Sequence, residues 1–295
     1  MVEMQIRDLT PHFGAEITGL DVEAALEDSE ACARLQSLFD DRGVLAFRDV
    51  DIDENVQANL IRMLIRKPPL GPDETASGRP DGSTFYVSNK EPEGGAPFGR
   101  LLFHSDMMWS EHTFQVLSLY GVEVEQPASP TIFASAKYGW ATLPDELRAK
   151  VSGLAAVQGH AEGERARAGD DPNVLVTKFD NLPTRTTPIG YAHPRTGDTL
   201  LYVSQQMTSS IEGFAADDSE ALLEELFAHL YRPEGLYEHE WRTNDLVAWD
   251  NIATQHARPN VTLEGPARTL RKVFAPMPPR AATPGKPTFA STGSS

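Results

Sequence analysis

His104 and Asp106 are separated by one residue, Ser105, and a β-strand, whose side chains repeat with a period of two, turns both onto one face. Far downstream His256 closes the run Trp249-Asp250-Asn251-Ile252-Ala253-Thr254-Gln255-His256. Two imidazoles and one carboxylate are the facial donor set of non-haem Fe(II) oxygenases, which leaves roughly three coordination positions open for reactants. The same donors accept zinc or nickel, which often bind such sites more tightly. A His-x-Asp pair alone says little, because an isolated histidine in a strand-rich chain is ordinarily structural or exposed. On that ground His12, His112, His160, His193, His229 and His239 are given no ligand role.

The charge distribution points the same way. The chain of 295 residues carries a formal charge of −17, which repels nucleic acid and anionic membranes. Beyond His256, however, Arg258, Arg268, Arg271, Lys272 and Arg280 are opposed by a single acid, Glu264. An acidic protein that gathers cations beside a metal ligand is built to recruit a small anion there; a solvated basic face is the plainer alternative.

The words around the ligands, Phe103-His104-Ser105-Asp106 after Leu101-Leu102 and Trp249 through His256, resemble the taurine dioxygenase and chlorophenoxyacetate dioxygenase family of Fe(II)/2-oxoglutarate enzymes. The resemblance runs from about Leu9-Thr10-Pro11-His12-Phe13-Gly14 to about Ala275. It implies that His104, Asp106 and His256 hold Fe(II) and form the catalytic centre, with 2-oxoglutarate and dioxygen as co-substrates. It also implies that an arginine about eleven residues beyond the distal histidine clamps the second carboxylate of 2-oxoglutarate. Here Arg268 stands twelve beyond, with Arg271 as a rival, and a guanidinium meets a carboxylate through two parallel charge-assisted bonds. Thr131 falls where the family has a threonine assisting that clamp, although a β-branched residue starting a strand needs no functional reason.

Lys272 occupies the place of the arginine that meets the sulfonate in taurine dioxygenase. Lysine is a point charge without the planar fork, which weakens any expectation of taurine itself. Alternation along a strand puts Arg268, Leu270 and Lys272 on one side and Arg271 on the other. Arg100, Met107 and Trp109 flank the ligand pair and either line the substrate pocket or pack the core. Trp249, Asp250 and Asn251 read as supporting residues. Asp106 argues against a halogenase, which needs that carboxylate position vacated.

The elements that must hold these residues are mostly strands. Gly43–Phe47, Phe114–Tyr120, Thr199–Val203, Asp245–Trp249 and Thr269–Phe274 are short, β-prone and bounded by turn residues. Asp28 or Ser29 is suited to cap a helix running to about Phe39, and Asp218 or Ser219 a helix burying Leu222, Leu223, Leu226, Phe227 and Leu230. A third helix is expected from about Pro144, with Leu147 and Val151 inward. Residues 67–100 and 161–187 read as long loops. Strands at the centre with helices around them suggest two packed antiparallel sheets, and the family resemblance implies a double-stranded β-helix, the cupin-like jelly roll.

Length and composition allow one domain over residues 1–276, followed by a tail, 277–295, with the composition of disorder. No apolar run approaches the roughly 20 residues of a membrane helix, and no signal-peptide pattern opens the chain. The single cysteine, Cys32, cannot form an internal disulfide and suits a reducing cytoplasm. The expected function is hydroxylation of a small, anionic organic substrate with release of succinate and CO2, by an oxidoreductase that allows a homo-oligomer. The alternatives are a metal-dependent hydrolase and a non-enzymatic ligand-binding protein on the same fold. A hydrolase has no use for a dicarboxylate clamp such as Arg268 with Thr131.

Overall fold

Val44-Leu45-Ala46-Phe47 is apolar at every position because both faces of that strand are covered. Leu45 and Phe47 pack beneath helices, whereas Val44 and Ala46 face a second sheet. Leu246, Val247, Ala248 and Trp249 divide between the same two cores. The computed structural model describes residues 2–77, 79, 82–159, 175–178, 183–276 and 288–291.

The larger sheet has the spatial order β1 (Gln5–Asp8), β2 (Ala15–Thr18), β3 (Val44–Phe47), β15 (Leu246–Asp250), β6 (Val116–Val124), β17 (Arg268–Ala275) and β4 (Tyr86–Ser88). The facing sheet has the order β14 (Leu236–His239), β7 (Thr131–Ser135), β16 (Thr254–Val261) and β5 (Gly99–His104). Every strand pairing in the two sheets is antiparallel except β2 with β3. Two such sheets face to face make the expected jelly roll. Between them lie Leu117, Leu119, Phe133, Trp241, Trp249 and Leu270, all buried; full burial of such a side chain contributes about 1.5–3 kcal/mol.

The outer face of the larger sheet is covered by α1 (Val22–Glu27), α2 (Ser29–Arg42) and α3 (Glu54–Leu64). Asp28 caps α2 by accepting from Glu30 and Ala31 N–H, as expected, but the helix runs three residues past Phe39. It stops at Gly43, whose φ of 69° is the left-handed conformation glycine adopts without a Cβ penalty.

A third cluster joins α5 (Asp145–Val151) and α6 (Ala216–Leu230), near α4 (Ala136–Ala141), to the smaller strands β8 (Ala155–Gln158), β12 (Thr199–Leu201) and β13 (Thr208–Ile211). The leucines of α6 are buried as the spacing predicts, but neither Asp218 nor Ser219 caps it. The helix begins at Ala216, so Asp217 and Asp218 sit in the first turn, favourable to its dipole. The Ser219 hydroxyl instead accepts from Ile211 N–H at 2.8 Å, tying helix to strand.

The stretches read as loops are not irregular throughout. Residues 67–100 contain β4, paired with β17, and the first residues of β5. Within 161–187 lie β9 (Leu175–Lys178) and the start of β10 (Arg185–Pro188), which pairs with β8; His160 and most of this stretch lie outside the described residues. The remaining small sheet joins β11 (Gly190–Ala192) to β12. Thr288–Ser291, β18, falls in the tail expected to be disordered and pairs with β9; the rest of 277–295 lies outside the described residues. Such strands are three or four residues long and owe their existence to a pairing partner, so Pro- and Gly-rich composition conceals them. Among the described residues no helix is long and apolar enough to cross a membrane.

Candidate metal centre

β5 and β16 pair so that His104 and His256 are opposite residues, which places both imidazoles on the face turned toward the larger sheet. Their ring centroids are 4.0 Å apart. Asp106 follows just past the end of β5 and directs Oδ1 to within 3.3 Å of His104 Nε2 and 4.0 Å of His256 Nε2. One ligand atom from each lies within 4.8 Å of the others, the only such cluster of metal-ligating side chains among the described residues.

The protonation states suit a cation. His104 Nδ1 lies 2.7 Å from the Leu102 carbonyl, so the donated proton sits there and Nε2 keeps its lone pair for a metal. Burial, and then the neighbouring His104, hold His256 well below the ordinary histidine range and hence neutral. Burial opposes ionisation of Asp106, but Lys272, His104 and His256 outweigh it and hold the carboxyl well below the usual carboxylate range. The donor set therefore fits a divalent metal in charge and in geometry.

Lys272 has a partner that spacing did not reveal: its ammonium is ion-paired with Asp106 Oδ2, leaving Oδ1 toward the imidazoles. The alternation expected for β17 is seen. Lys272 and Leu270 face the interior, whereas Arg271 turns to the helical layer, bonds Gln57 Oε1 (2.7 Å) and the Ile52 carbonyl (2.8 Å), and stacks on Tyr120.

Arg268 turns inward and is buried. Its Nε donates to the Ser129 carbonyl at 2.9 Å and its Nη2 to Thr131 Oγ1 at 3.2 Å. Thr131 and Phe133 lie on the same strand, and Phe133 is opposite His256. Burial, and after it the nearby Arg258, work against the charge of Arg268, a cost that an incoming carboxylate relieves. Arg258 is itself buried, donates to the carbonyls of Ala96, Phe98 and Gly99, and is pushed down to about 10 by burial.

Arg100 is half-buried on β5, while Met107 and Trp109 are buried in the core between the sheets. Met107, immediately after Asp106, has a φ of 59°, a left-handed conformation that costs a side-chain-bearing residue roughly 1–2 kcal/mol. Asn251 and Asp250, read from the sequence only as supporting residues, and Trp241, which was not singled out, each have a defined role. Asn251 binds the backbone of Asp106, Asp250 organises the turn before His256, and Trp241 donates to Thr131. The family wording around residues 249–251 was the only available signal for the first two, and nothing in the sequence marked Trp241.

The family described as "Taurine catabolism dioxygenase TauD, TfdA family" matches residues 5–274. An alkylsulfatase of Acinetobacter baylyi is 25% identical over 262 residues, covering 86% of this chain and 79% of that protein. An alpha-ketoglutarate-dependent 2,4-dichlorophenoxyacetate dioxygenase of Burkholderia sp. is 25% identical over 264 residues, covering 84% of this chain and 86% of that protein. Among solved structures, AAD-2 in complex with Mn(II) and N-oxalylglycine superposes with a TM-score of 0.73 at 22% identity, covering 92% of this chain and 96% of that one.

Proposed function

We propose, since this chain belongs to the taurine catabolism dioxygenase TauD, TfdA family, that His104, Asp106 and His256 hold the Fe(II) of a 2-oxoglutarate-dependent dioxygenase whose substrate is a small organic anion. Arg268 and Thr131 seat the distal carboxylate of 2-oxoglutarate in this reading. The observation that carries it is a distance along β7. Two residues advance a strand by roughly 7 Å, so Thr131 stands about that far from Phe133, the cross-strand partner of His256. That is the scale of a five-carbon diacid reaching from a metal to a guanidinium.

When bound, the iron supplies the redox chemistry that couples oxidative decarboxylation of 2-oxoglutarate to hydroxylation of the substrate, with succinate and CO2 as co-products. The protein binds and orients. His104 and His256 through Nε2, and ionised Asp106 through Oδ1, present three donors from one side. The buried guanidinium of Arg268 fixes the far end of the co-substrate with charge-assisted bonds in a site shielded from water.

The substrate class is read from Lys272. Its ammonium lies at the Asp106 carboxylate rather than in solvent, so an anion binding beside that carboxylate would meet a cation already in place. The names of the relatives, an alkylsulfatase and a chlorophenoxyacetate dioxygenase, are those of enzymes for sulfate esters and aryloxy acids. Arg100, half-buried on β5, is the second cation we assign to substrate binding. Met107 and Trp109, buried between the sheets, are assigned to the wall of the substrate site. We place the enzyme in the cytoplasm, where ferrous iron and the lone Cys32 stay reduced.

The test is an oxygen-dependent succinate assay across sulfonates, sulfate esters, aryloxyalkanoates and their neutral analogues. One anionic class should couple succinate to product stoichiometrically. Lys272→Ala should raise its apparent KM and increase the succinate formed per product, with little change in 2-oxoglutarate affinity. A neutral substrate whose kinetics ignore Lys272→Ala would overturn the anion assignment.

A further inference from the structure

A hydroxyl has one proton to donate and two lone pairs to accept with. At Thr131 Oγ1 both acceptor positions are taken. Trp241 Nε1 donates at 2.9 Å and Arg268 Nη2 donates at 3.2 Å, and neither an indole nor a guanidinium can accept. The Thr131 proton must then point away from both, with no freedom to rotate while those bonds persist. Thr131 is 3% exposed, so bulk water does not compete for the oxygen.

We infer that Trp241 is a positioning residue, which acts through Thr131 to aim the hydroxyl proton at the distal carboxylate of the co-substrate. The inference rests on the reading of Arg268 and Thr131 as the carboxylate seat. Without the indole N–H, one lone pair of Thr131 is released and the hydroxyl regains alternative staggered positions, of which one serves the ligand. With it, the seat offers a proton whose direction is set before the ligand arrives, the preorganisation that makes a buried donor effective.

Trp241 is itself held in place. The residue is fully buried, its carbonyl accepts from Gln126 Nε2 at 2.7 Å, and its ring meets His239 edge to face at 4.5 Å between centroids. The Arg268 guanidinium lies 6.0 Å from the same ring, so the indole contacts both members of the seat. A loss of packing against Arg268 is thus the rival account of any Trp241 phenotype, and the experiment must separate the two.

Anaerobic calorimetric titration of the Fe(II)-loaded full chain does so, with 2-oxoglutarate and with 2-oxobutyrate, a keto acid lacking the distal carboxylate. Trp241→Phe keeps an aromatic face and deletes the N–H. It should raise the 2-oxoglutarate Kd by about three- to tenfold, the lower figure reflecting loss of one fixed choice among roughly three staggered positions. Affinity for 2-oxobutyrate should not change. Thr131→Val should cost about tenfold or more, as expected for a hydrogen bond to a charged group. In the double variant Trp241→Phe should add nothing to Thr131→Val.

An unchanged Kd in Trp241→Phe, an equal loss for 2-oxobutyrate, or a Trp241 effect that persists undiminished beside Thr131→Val would overturn the inference. If Arg268→Ala and Thr131→Val both leave 2-oxoglutarate binding intact, the carboxylate seat itself is misplaced, a separate failure. Should Trp241→Phe not fold, benzothienylalanine at position 241, with sulfur in place of the N–H on the same ring shape, is judged by the same criteria.

Discussion

Asn251 holds Asp106 through the backbone on both sides of its α-carbon. Its Oδ1 accepts from the Asp106 N–H at 3.0 Å, and its Nδ2 donates to the Asp106 carbonyl at 2.9 Å and to the Phe114 carbonyl at 3.1 Å. A carboxylate just beyond the end of a strand is thereby fixed to the turn that leads into β16, the strand of His256. This amide ties the two segments of the proposed metal centre together in addition to the pairing of β5 with β16.

Asn251→Ala should therefore weaken metal binding as well as the fold. Outer residues that orient a ligand typically contribute tenfold to a hundredfold in metal affinity, and the stranded Asp106 and Phe114 groups cost about 1–3 kcal/mol each at most. Fe(II) or Mn(II) titration of the variant, with urea unfolding as the control, measures both. An unaltered metal isotherm would detach Asn251 from the centre.

Removing a ligand itself is more severe. Asp106→Ala or His256→Ala should abolish turnover and leave Fe(II) binding too weak to titrate, with loss of the visible charge-transfer band of the 2-oxoglutarate complex. Asp106→Ala also leaves the Lys272 ammonium half-buried without its carboxylate, so its unfolding midpoint should fall further than that of His256→Ala.

Arg268 and Arg271 stand three residues apart on β17 but serve opposite faces. Arg268→Ala should raise the 2-oxoglutarate Kd by about tenfold to a hundredfold with metal content unchanged. Arg271→Ala should spare that Kd and lower stability instead, because it strips Gln57, the Ile52 carbonyl and the Tyr120 ring of a shared partner. Equal co-substrate defects in the two variants would contradict the facing of the strand.

That facing was legible from period alone, whereas the grouping of His104, Asp106 and His256 came from the family resemblance of the words around them, since the His-x-Asp spacing alone says little. The unread features all depend on partners distant in sequence. Trp241 and Thr131 are 110 residues apart, Asn251 and Asp106 145, Lys272 and Asp106 166, and no local pattern connects such pairs. β4 escaped notice for a related reason: three residues have no period to display, and β17 supplies their pairing. The α6 start was misread because Ser219 resembles a cap in sequence while its hydroxyl is committed to Ile211 across space.

Asp250 gives a prediction with a definite sign in pH. Its Oδ1 accepts from Ile252 N–H (2.9 Å) and Ala253 N–H (3.0 Å), closing the turn before His256, and Arg195 and His193 approach the same buried carboxylate. Burial raises its pKa, but the His193 bond and charge, then Arg195 and the backbone, outweigh that and bring it below the ordinary value of 3.8. The unfolded chain takes up a proton near 3.8 that the folded chain refuses, so this contribution is complete above that pH and is lost as pH falls through the folded pKa. Asp250→Asn, which leaves Arg195 with Asp40 as its remaining carboxylate partner, should cost about 1.5–3 kcal/mol near pH 7, as for a hydrogen bond to a charged group. The deficit against the parent should shrink steadily below about pH 4. Urea unfolding at pH 7, 5, 4 and 3 reads the difference directly, and a deficit that stays constant over that range would show that the charge on Asp250 is not what closes the turn.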